Sequence, residues 1–485
     1  MAKTWAIGGV DLHVDLAGPR VRAALENALR ESVSSGRLRP GTRLPSSRAL
    51  AADLDIARNT VADAYGQLVA EGWLTALPGS GTRVAQRVTA TESASRPPEA
   101  AVARTRYDLR PGSPDLSAFP RSAWVRATRR ALSVAPYEAL GYSDPRGRPE
   151  LRDALADYLA RARGVRATPG RIVVCSGFTQ GFWLLCQVLR GRGARTLAIE
   201  EFVLPGTRTA ALESGLSLDS LPVDERGAAV DRLGRSEAVL LTAAHQFPLG
   251  MPLAPARRAQ VVEWALDTDG LIIEDDYDGE FRYDRHPLGS LQALAPEHVV
   301  YAGTASKTLA PGLRLGWLVV PALLIDEVVA AKTLIDVHTS AIEQLTLAEF
   351  VLSGSFDRHI RRSRLIYRRR RDRLVAALHR HAPSVHVSGI AAGLHALVEL
   401  PSGLREEEII ARAAEHGLAL EGLQAYAEDP DQHPPGFDPD QHPPGFDPDR
   451  HPPALVVGYA NPPEHSYTAA LARLSAVLSQ GPGNG

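Results

Sequence analysis

The sequence predicts an α/β protein with a small helical head ending in a β-hairpin and a large unit of mostly parallel sheet flanked by helices. Three observations carry this expectation. Apolar residues recur with helical spacing over the first stretch, short apolar strands alternate with helices from about residue 171, and a Ser, Thr, Ala and Pro-rich segment divides the two. The 485 residues exceed what one core organises, and 44% hydrophobic residues suffice for several cores. No 18 apolar residues follow one another and the N-terminus carries no long apolar run, so a soluble cytoplasmic chain without a membrane span is expected. Cys175 and Cys186 show neither CxxC nor Cys/His spacing; they read as buried thiols, and no metal site is expected.

The head is expected over residues 12–87. Pro19 suits the start of a helix in which Val21, Leu25, Ala28, Leu29 and Val33 recur until Gly36 stops it. Ser46 or Ser47 can cap a second helix bearing Leu50, Ala51 and Leu54. A third runs from about Ala57 to Glu71 and turns Val61, Ala64, Tyr65 and Leu68 inward. Trp73-Leu74 and Thr82-Arg83-Val84 flank Pro78-Gly79-Ser80-Gly81 as a hairpin. Although the whole chain has a formal charge of −2, residues 37–60 hold five arginines against two aspartates. In a helix-turn-helix the start of the second helix of the pair meets base edges, which Arg58, Asn59 and Thr60 suit. Arg43, Ser47 and Arg48 are placed for phosphates. The same three helices also suit a packing or dimerisation module.

A linker is expected at 88–105 and a second domain over 106–485, its large lobe reaching about 345 and a smaller α+β lobe occupying about 346–480. Strands are expected at 171–175, 196–199, 237–242, 271–274, 299–302 and 315–319. DPDQHPPGF occurs at 429–437 and 438–446, with a partial copy at 447–453. Its histidines, 433, 442 and 451, invite a metal reading, but the Pro and Gly density favours a surface loop grown by duplication. The nine arginines of 358–373 read as a solvated helix face, with phosphate contact to DNA as the alternative.

Three segments of the large lobe carry chemistry. Lys307 lies in GTASK beside the hydroxyls of Thr304 and Ser306, with Arg314 seven residues on. Asp275 closes the strand LIIEDD, and Tyr277 follows it. CSGFTQG is a strand-to-helix turn whose helix start offers free amides to a phosphate. A lysine amine, an acid for a pyridinium proton and a phosphate cup are the needs of pyridoxal 5'-phosphate (PLP). Singly they also read as a surface lysine, an acidic loop or Mg-binding Asp275–Asp276 pair, and a common tight turn. Their placement at strand ends is where open α/β sheets bind ligands.

The segment from GRLRPGTRLPSSRALAADL through ARNTVADAYGQL to the wing GSGTRV resembles the winged helix-turn-helix of the GntR family. YSDPRGRPELRDALADYL, SGFTQG, TAAHQFPLGMPL, IIEDDYDGEFRY and GTASKTLAPGLRLGW resemble fold-type I aminotransferases over about 107–480, specifically the C-terminal domain of MocR/GabR-type regulators. The resemblance implies DNA contacts from Arg43, Ser47, Arg48, Arg58, Asn59 and Thr60, with Gly81 shaping the wing. It implies that Lys307 forms the Schiff base with PLP, that Asp275 pairs with the ring nitrogen and that Tyr277 bonds the ring hydroxyl. Phe178, Thr179, Thr304 and Arg314 would hold the phosphate, His245 and Gln246 would lie beside the ring, and Tyr142 would reach the phosphate of the neighbouring subunit in a head-to-tail homodimer. Two departures stand out. Phe202-Val203-Leu204 replaces a Pro-Gly-Tyr, leaving Phe202 to stack on the ring instead. Val456-Val457-Gly458-Tyr459 lacks the arginine that grips a substrate carboxylate, for which Arg208 or Arg450 are substitutes. The expected function is therefore a PLP-dependent transcription regulator whose effector is PLP or its adduct with an amine or amino acid, with vitamin B6 control one setting. An active aminotransferase with a DNA-binding appendage is the alternative.

Overall fold

A computed structural model describes residues 2–7, 10–15, 21–77, 81–86, 106–283, 288–427 and 451–479. The chain divides into two compact units, Met1–Ala101 and Val102–Gly485. The expected linker, the tip of the wing and the repeat segment up to residue 450 lie outside the described residues.

In the first unit, helices Val21–Ser34, Ser47–Leu54 and Arg58–Ala70 bury Leu25, Leu29, Leu50, Leu54, Val61 and Leu68 against one another. Ser46 caps the second helix, its hydroxyl accepting from the Ala49 amide at 3.2 Å. The guanidinium of Arg30 forks onto Glu71 at 2.8 and 2.7 Å and ties the first helix to the end of the third. Strands Leu74–Leu77 and Gly81–Val84 form the hairpin. The loop before the second helix joins it: the Leu44 amide donates to Thr82 and the Val84 amide to Thr42, both at 2.9 Å. An antiparallel pair, Ala2–Ile7 with Val10–Asp15, precedes these elements and is not anticipated by a helical periodicity that starts near Pro19.

The second unit is built on a seven-stranded sheet. Its order is Ile172–Cys175, Gly316–Val319, Val299–Thr304, Leu271–Asp275, Ala238–Leu241, Thr196–Glu200 and Ser217–Leu221. Gly316–Val319 runs antiparallel to both neighbours, and the pairs beyond it are parallel. Val173, Ile199, Leu240, Ile273 and Val300 fill the core on one face, while Ala198, Val239, Leu241 and Ile272 pack in another. Burial on both faces is why these strands read as unbroken apolar runs. The edge strand Ser217–Leu221, SLDSL, is half exposed and escapes that signal.

A three-stranded antiparallel sheet, His386–Ser388, His395–Glu399 and Ala454–Gly458, forms the smaller lobe with helices Glu406–Glu415 and Glu464–Ser479. The 27-residue helix Ser355–His381 is pinned by Arg370, which is 1% exposed. Its guanidinium reaches Asp115 at 2.7 Å, Glu464 at 2.9 Å and the carbonyls of Ala460 and Pro462. Among the described residues, no helix is long and apolar enough to cross a membrane.

Candidate functional site

A cavity of about 250 Å³ opens where strands Thr196–Glu200, Leu271–Asp275 and Val299–Thr304 end. Eight expected residues line it together: Phe178, Thr179, Asp275, Tyr277, Thr304, Ser306, Lys307 and Arg314. Residues that sequence reasoning missed complete the wall, among them Gly112, Glu200, Thr207, Thr242, His395 and Tyr426. These come from separate segments with no shared local signal, so only the tertiary fold gathers them.

One end is built for an anion. Gly177, at φ 92°, precedes helix Phe178–Gly191, whose N-terminus has no side-chain cap. Free amides there favour a negative ligand through hydrogen bonding and the helix dipole. The absent side chain at Gly177 makes room for Arg314, since a Cβ would stand 3.1 Å from its guanidinium. Thr304 and Ser306 pair their hydroxyls at 3.0 Å beside this turn. Behind it, Gln180 accepts from the Ser176 amide at 2.7 Å and donates to Asp336 at 2.8 Å, and Asp336 holds the buried Lys332 ammonium at 2.8 Å.

The middle of the cavity joins an amine to an acid. The Lys307 Nζ donates to the Gly112 carbonyl at 2.6 Å, and burial holds its pKa below the ordinary lysine value against the pull of Asp275. Burial pushes the Asp275 carboxyl well above the usual carboxylate range, and its Oδ1 has no hydrogen-bond partner among the described residues. A buried, unpartnered carboxyl oxygen is costly unless a donor meets it. That orphan, the half-buried amine and the anion cup together fit PLP. Asp276 is not available as a second metal ligand beside it, because Arg163 forks onto it at 2.6 and 2.9 Å and Tyr301 donates to it at 2.7 Å.

His245 does not line the cavity. Its Nδ1 lies 2.9 Å from Asp278 and 3.1 Å from the Tyr277 hydroxyl, so it holds Tyr277 from behind. Gln246 also faces away, donating to Glu200 at 3.2 Å and to the Phe247 carbonyl at 2.7 Å. Phe202 is fully buried outside the cavity, which corrects the expectation that it stacks on the ring; Val203 and Leu204 line the wall there instead. The strand ends at Glu200, and in the bend that follows the ring turns into the core, edge-on to His451 at 5.1 Å. His451, from the last repeat copy, also reaches the buried Glu201 at 3.0 Å. Arg208 is buried and donates to the Glu201 carbonyl at 3.2 Å, while its neighbour Thr207 lines the cavity. Arg450, His433 and His442 lie outside the described residues. Glu200, bonded by Thr242, is pushed up to about 7 by burial, and burial lowers His395 to about 3. Tyr142 is 92% exposed, does not line its own chain's cavity, and meets His338 edge-on at 6.1 Å.

In the first unit, Arg43, Arg48, Arg58 and Asn59 are exposed, and Ser47 and Thr60 partly so. The helix Arg58–Ala70 begins without a side-chain cap, leaving amides free at the end that carries Arg58 and Asn59. Gly81, at φ 85°, lies against Arg43: a Cβ there would stand 3.2 Å from its Nε. The loop and the wing thus present one polar surface.

Fold and cavity define a winged-helix unit coupled in one chain to an aminotransferase-type unit. Residues 22–84 match the model of bacterial regulatory proteins of the gntR family, and residues 112–417 that of aminotransferase class I and II. The uncharacterized HTH-type transcriptional regulator YhdI of Bacillus subtilis is 35% identical over 81% of this chain and 85% of its own. The probable rhizopine catabolism regulatory protein MocR of Rhizobium meliloti is 33% identical over 81% and 84%. The pyridoxine biosynthesis transcriptional regulator PdxR of Corynebacterium glutamicum is 32% identical over 83% and 88%. Among solved structures, an archaeal alanine:glyoxylate aminotransferase superposes with a TM-score of 0.67 at 24% identity, covering 77% of this chain and 90% of that one. The chain belongs to the MocR-type family of transcription regulators, in which a GntR-type head is fused to an aminotransferase-fold domain.

Proposed function

We propose that this regulator binds PLP in the described cavity and that occupancy of the cavity sets its action on DNA. The observation that carries the reading is the orphaned Asp275 oxygen in the same cavity as the Lys307 amine. Bound PLP supplies an electrophilic carbonyl that captures amines. Lys307, its pKa lowered by burial, offers the amine that holds the cofactor. Asp275 pairs with the ring nitrogen, and Tyr277, steadied by His245, bonds the ring hydroxyl. The amides at Phe178 and Thr179, with Thr304, Ser306 and Arg314, hold the phosphate. Tyr142, exposed and apart from its own cavity, serves the phosphate of the partner subunit in a head-to-tail homodimer. In the head, Arg58, Asn59 and Thr60 read bases while Arg43, Ser47 and Arg48 grip phosphates of an operator in the cytoplasm. The effector is PLP itself or an amine or amino acid captured on it; the likeness to a pyridoxine biosynthesis regulator supports the first.

A ligand shifts the two DNA heads only if it binds their two arrangements with different affinity. The test is a gel shift on DNA upstream of the protein's own gene, with apo-protein, PLP-loaded protein and Lys307→Ala. A PLP-dependent change in affinity that the variant lacks supports the reading; equal binding by all three leaves PLP as a platform only. Sustained keto-acid production from candidate amines would instead favour an enzyme with a DNA-binding appendage, the reading that the Lys307 amine in the cavity permits and the missing carboxylate arginine weakens.

A further inference from the structure

The nine arginines at 358–373 of helix Ser355–His381 separate by what they touch. Arg370 and Arg373 are tied to Asp115, Glu464 and Thr468, Arg364 donates to the Glu280 carbonyl, and Arg358 bonds Ser355 and the Ser353 carbonyl. These hold the fold, and Arg371 beside them is half-buried. Arg361, Arg362, Arg368 and Arg369 are exposed, and among the described residues no carboxylate pairs with them.

Their spacing places all four on one side of the helix, two turns apart, opposite the buried Phe356, Ile360, Tyr367, Leu374 and Leu378. Arg380 continues the row and Asp372 is its acidic interruption, so five guanidinium groups against one carboxylate face outward over about 29 Å of helix. Like charges one turn apart, as at Arg358 and Arg362 or Arg364 and Arg368, destabilise a helix. A chain with a formal charge of −2 has no general need for such a row. Guanidinium is the side chain that forks onto phosphate, and duplex DNA offers about one phosphate charge per 1.7 Å of axis.

We infer that this arginine face is a second DNA contact, docking on duplex phosphates while the head occupies its operator. It rests on the DNA-binding reading above, and the contact is to the backbone, so it adds affinity and salt dependence without reading sequence. Charge complementarity, together with a family built around a DNA-binding head, selects duplex DNA over other polyanions.

The experiment measures affinity against salt concentration for full-length, PLP-loaded protein on a duplex from upstream of its own gene. It compares wild type, the quadruple variant R361Q/R362Q/R368Q/R369Q and a control, R192Q/R195Q, that removes two exposed arginines elsewhere. All four substituted side chains lie in solvent, and an unchanged melting temperature and PLP absorbance verify the fold. The quadruple variant is expected to flatten the slope of log affinity against log salt by about 3.6, or about 0.9 for each phosphate that is no longer neutralised. The control is expected to leave the slope unchanged. An unchanged slope in the quadruple variant overturns the inference, as does a flattening by the control of about 1.8, in proportion to its two charges, which would make the effect one of net charge. Loss of binding to phosphatidylserine vesicles with an unchanged DNA slope would reassign the face to membranes and overturn it too. If wild type binds no duplex at any salt, the DNA-binding reading fails first and takes the inference with it.

Discussion

Burial pushes the Asp275 carboxyl well above the usual carboxylate range, and among the described residues its Oδ1 is unanswered while the Lys307 amine lines the same cavity. A cationic ring nitrogen answers it. Asp275→Asn removes that charge pairing, and absorbance titration should show PLP affinity falling at least tenfold, about 1.4 kcal/mol. Glu200 gives a pH signature of its own. Its folded pKa of about 7 stands above the ordinary 4.5, so between these values the unfolded chain holds fewer protons than the folded one. Stability from this group is complete below pH 4.5 and is lost as pH rises through 7. In apo-protein, Glu200→Gln should flatten the fall of stability over that range by up to about 1.4 kcal/mol per pH unit, read by denaturant titration. Lys307, Asp275 and Arg314 were legible in the sequence because each lies next to an apolar strand that any reading finds. Glu200, Thr242 and His395 were not, because no local pattern distinguishes a buried polar residue that faces a cavity from one that does not.

At the scale of elements, the phosphate turn depends on a relay from a neighbouring helix. Lys332 on Ile325–Asp336 holds Asp336, which holds Gln180, which holds the Ser176 amide. Lys332 is fully buried, so Lys332→Met leaves Asp336 without its cation and should cost about 3 kcal/mol in chemical unfolding. Gln180→Ala should instead weaken PLP binding while changing the melting temperature little, since it frees the turn and not the core. In the head, Ser46→Ala removes the cap of Ser47–Leu54 and should cost about 1 kcal/mol, measured on the first thermal transition. The three helices and the hairpin were readable from 3.6-residue spacing and turn residues. The addition of residues 41–44 to the hairpin was not, because the loop GRLRPGTRLP has no strand pattern and is recruited by backbone bonds to Thr82 and Val84.

For the whole molecule, ligand binding and stability are linked. PLP at one hundred times its dissociation constant should stabilise the second unit by about 2.7 kcal/mol, and Lys307→Ala should lose most of that gain in a thermal scan. A PLP-independent melting temperature would argue that the cavity does not hold the cofactor. Sequence by itself determined the two-part architecture, the strand rhythm of the large unit and the identity of the lysine, acid and arginine at its strand ends. Those features are local: periodicity follows from the geometry of a helix or strand, and a motif is contiguous. Only the tertiary structure decided that His245 supports Tyr277 instead of lining the cavity, that Phe202 turns into the core, and that the arginines of one helix divide into four that hold other residues and a row that faces solvent. Each of these depends on which partners a side chain finds across the fold, and burial and hydrogen-bond satisfaction between distant segments set that choice.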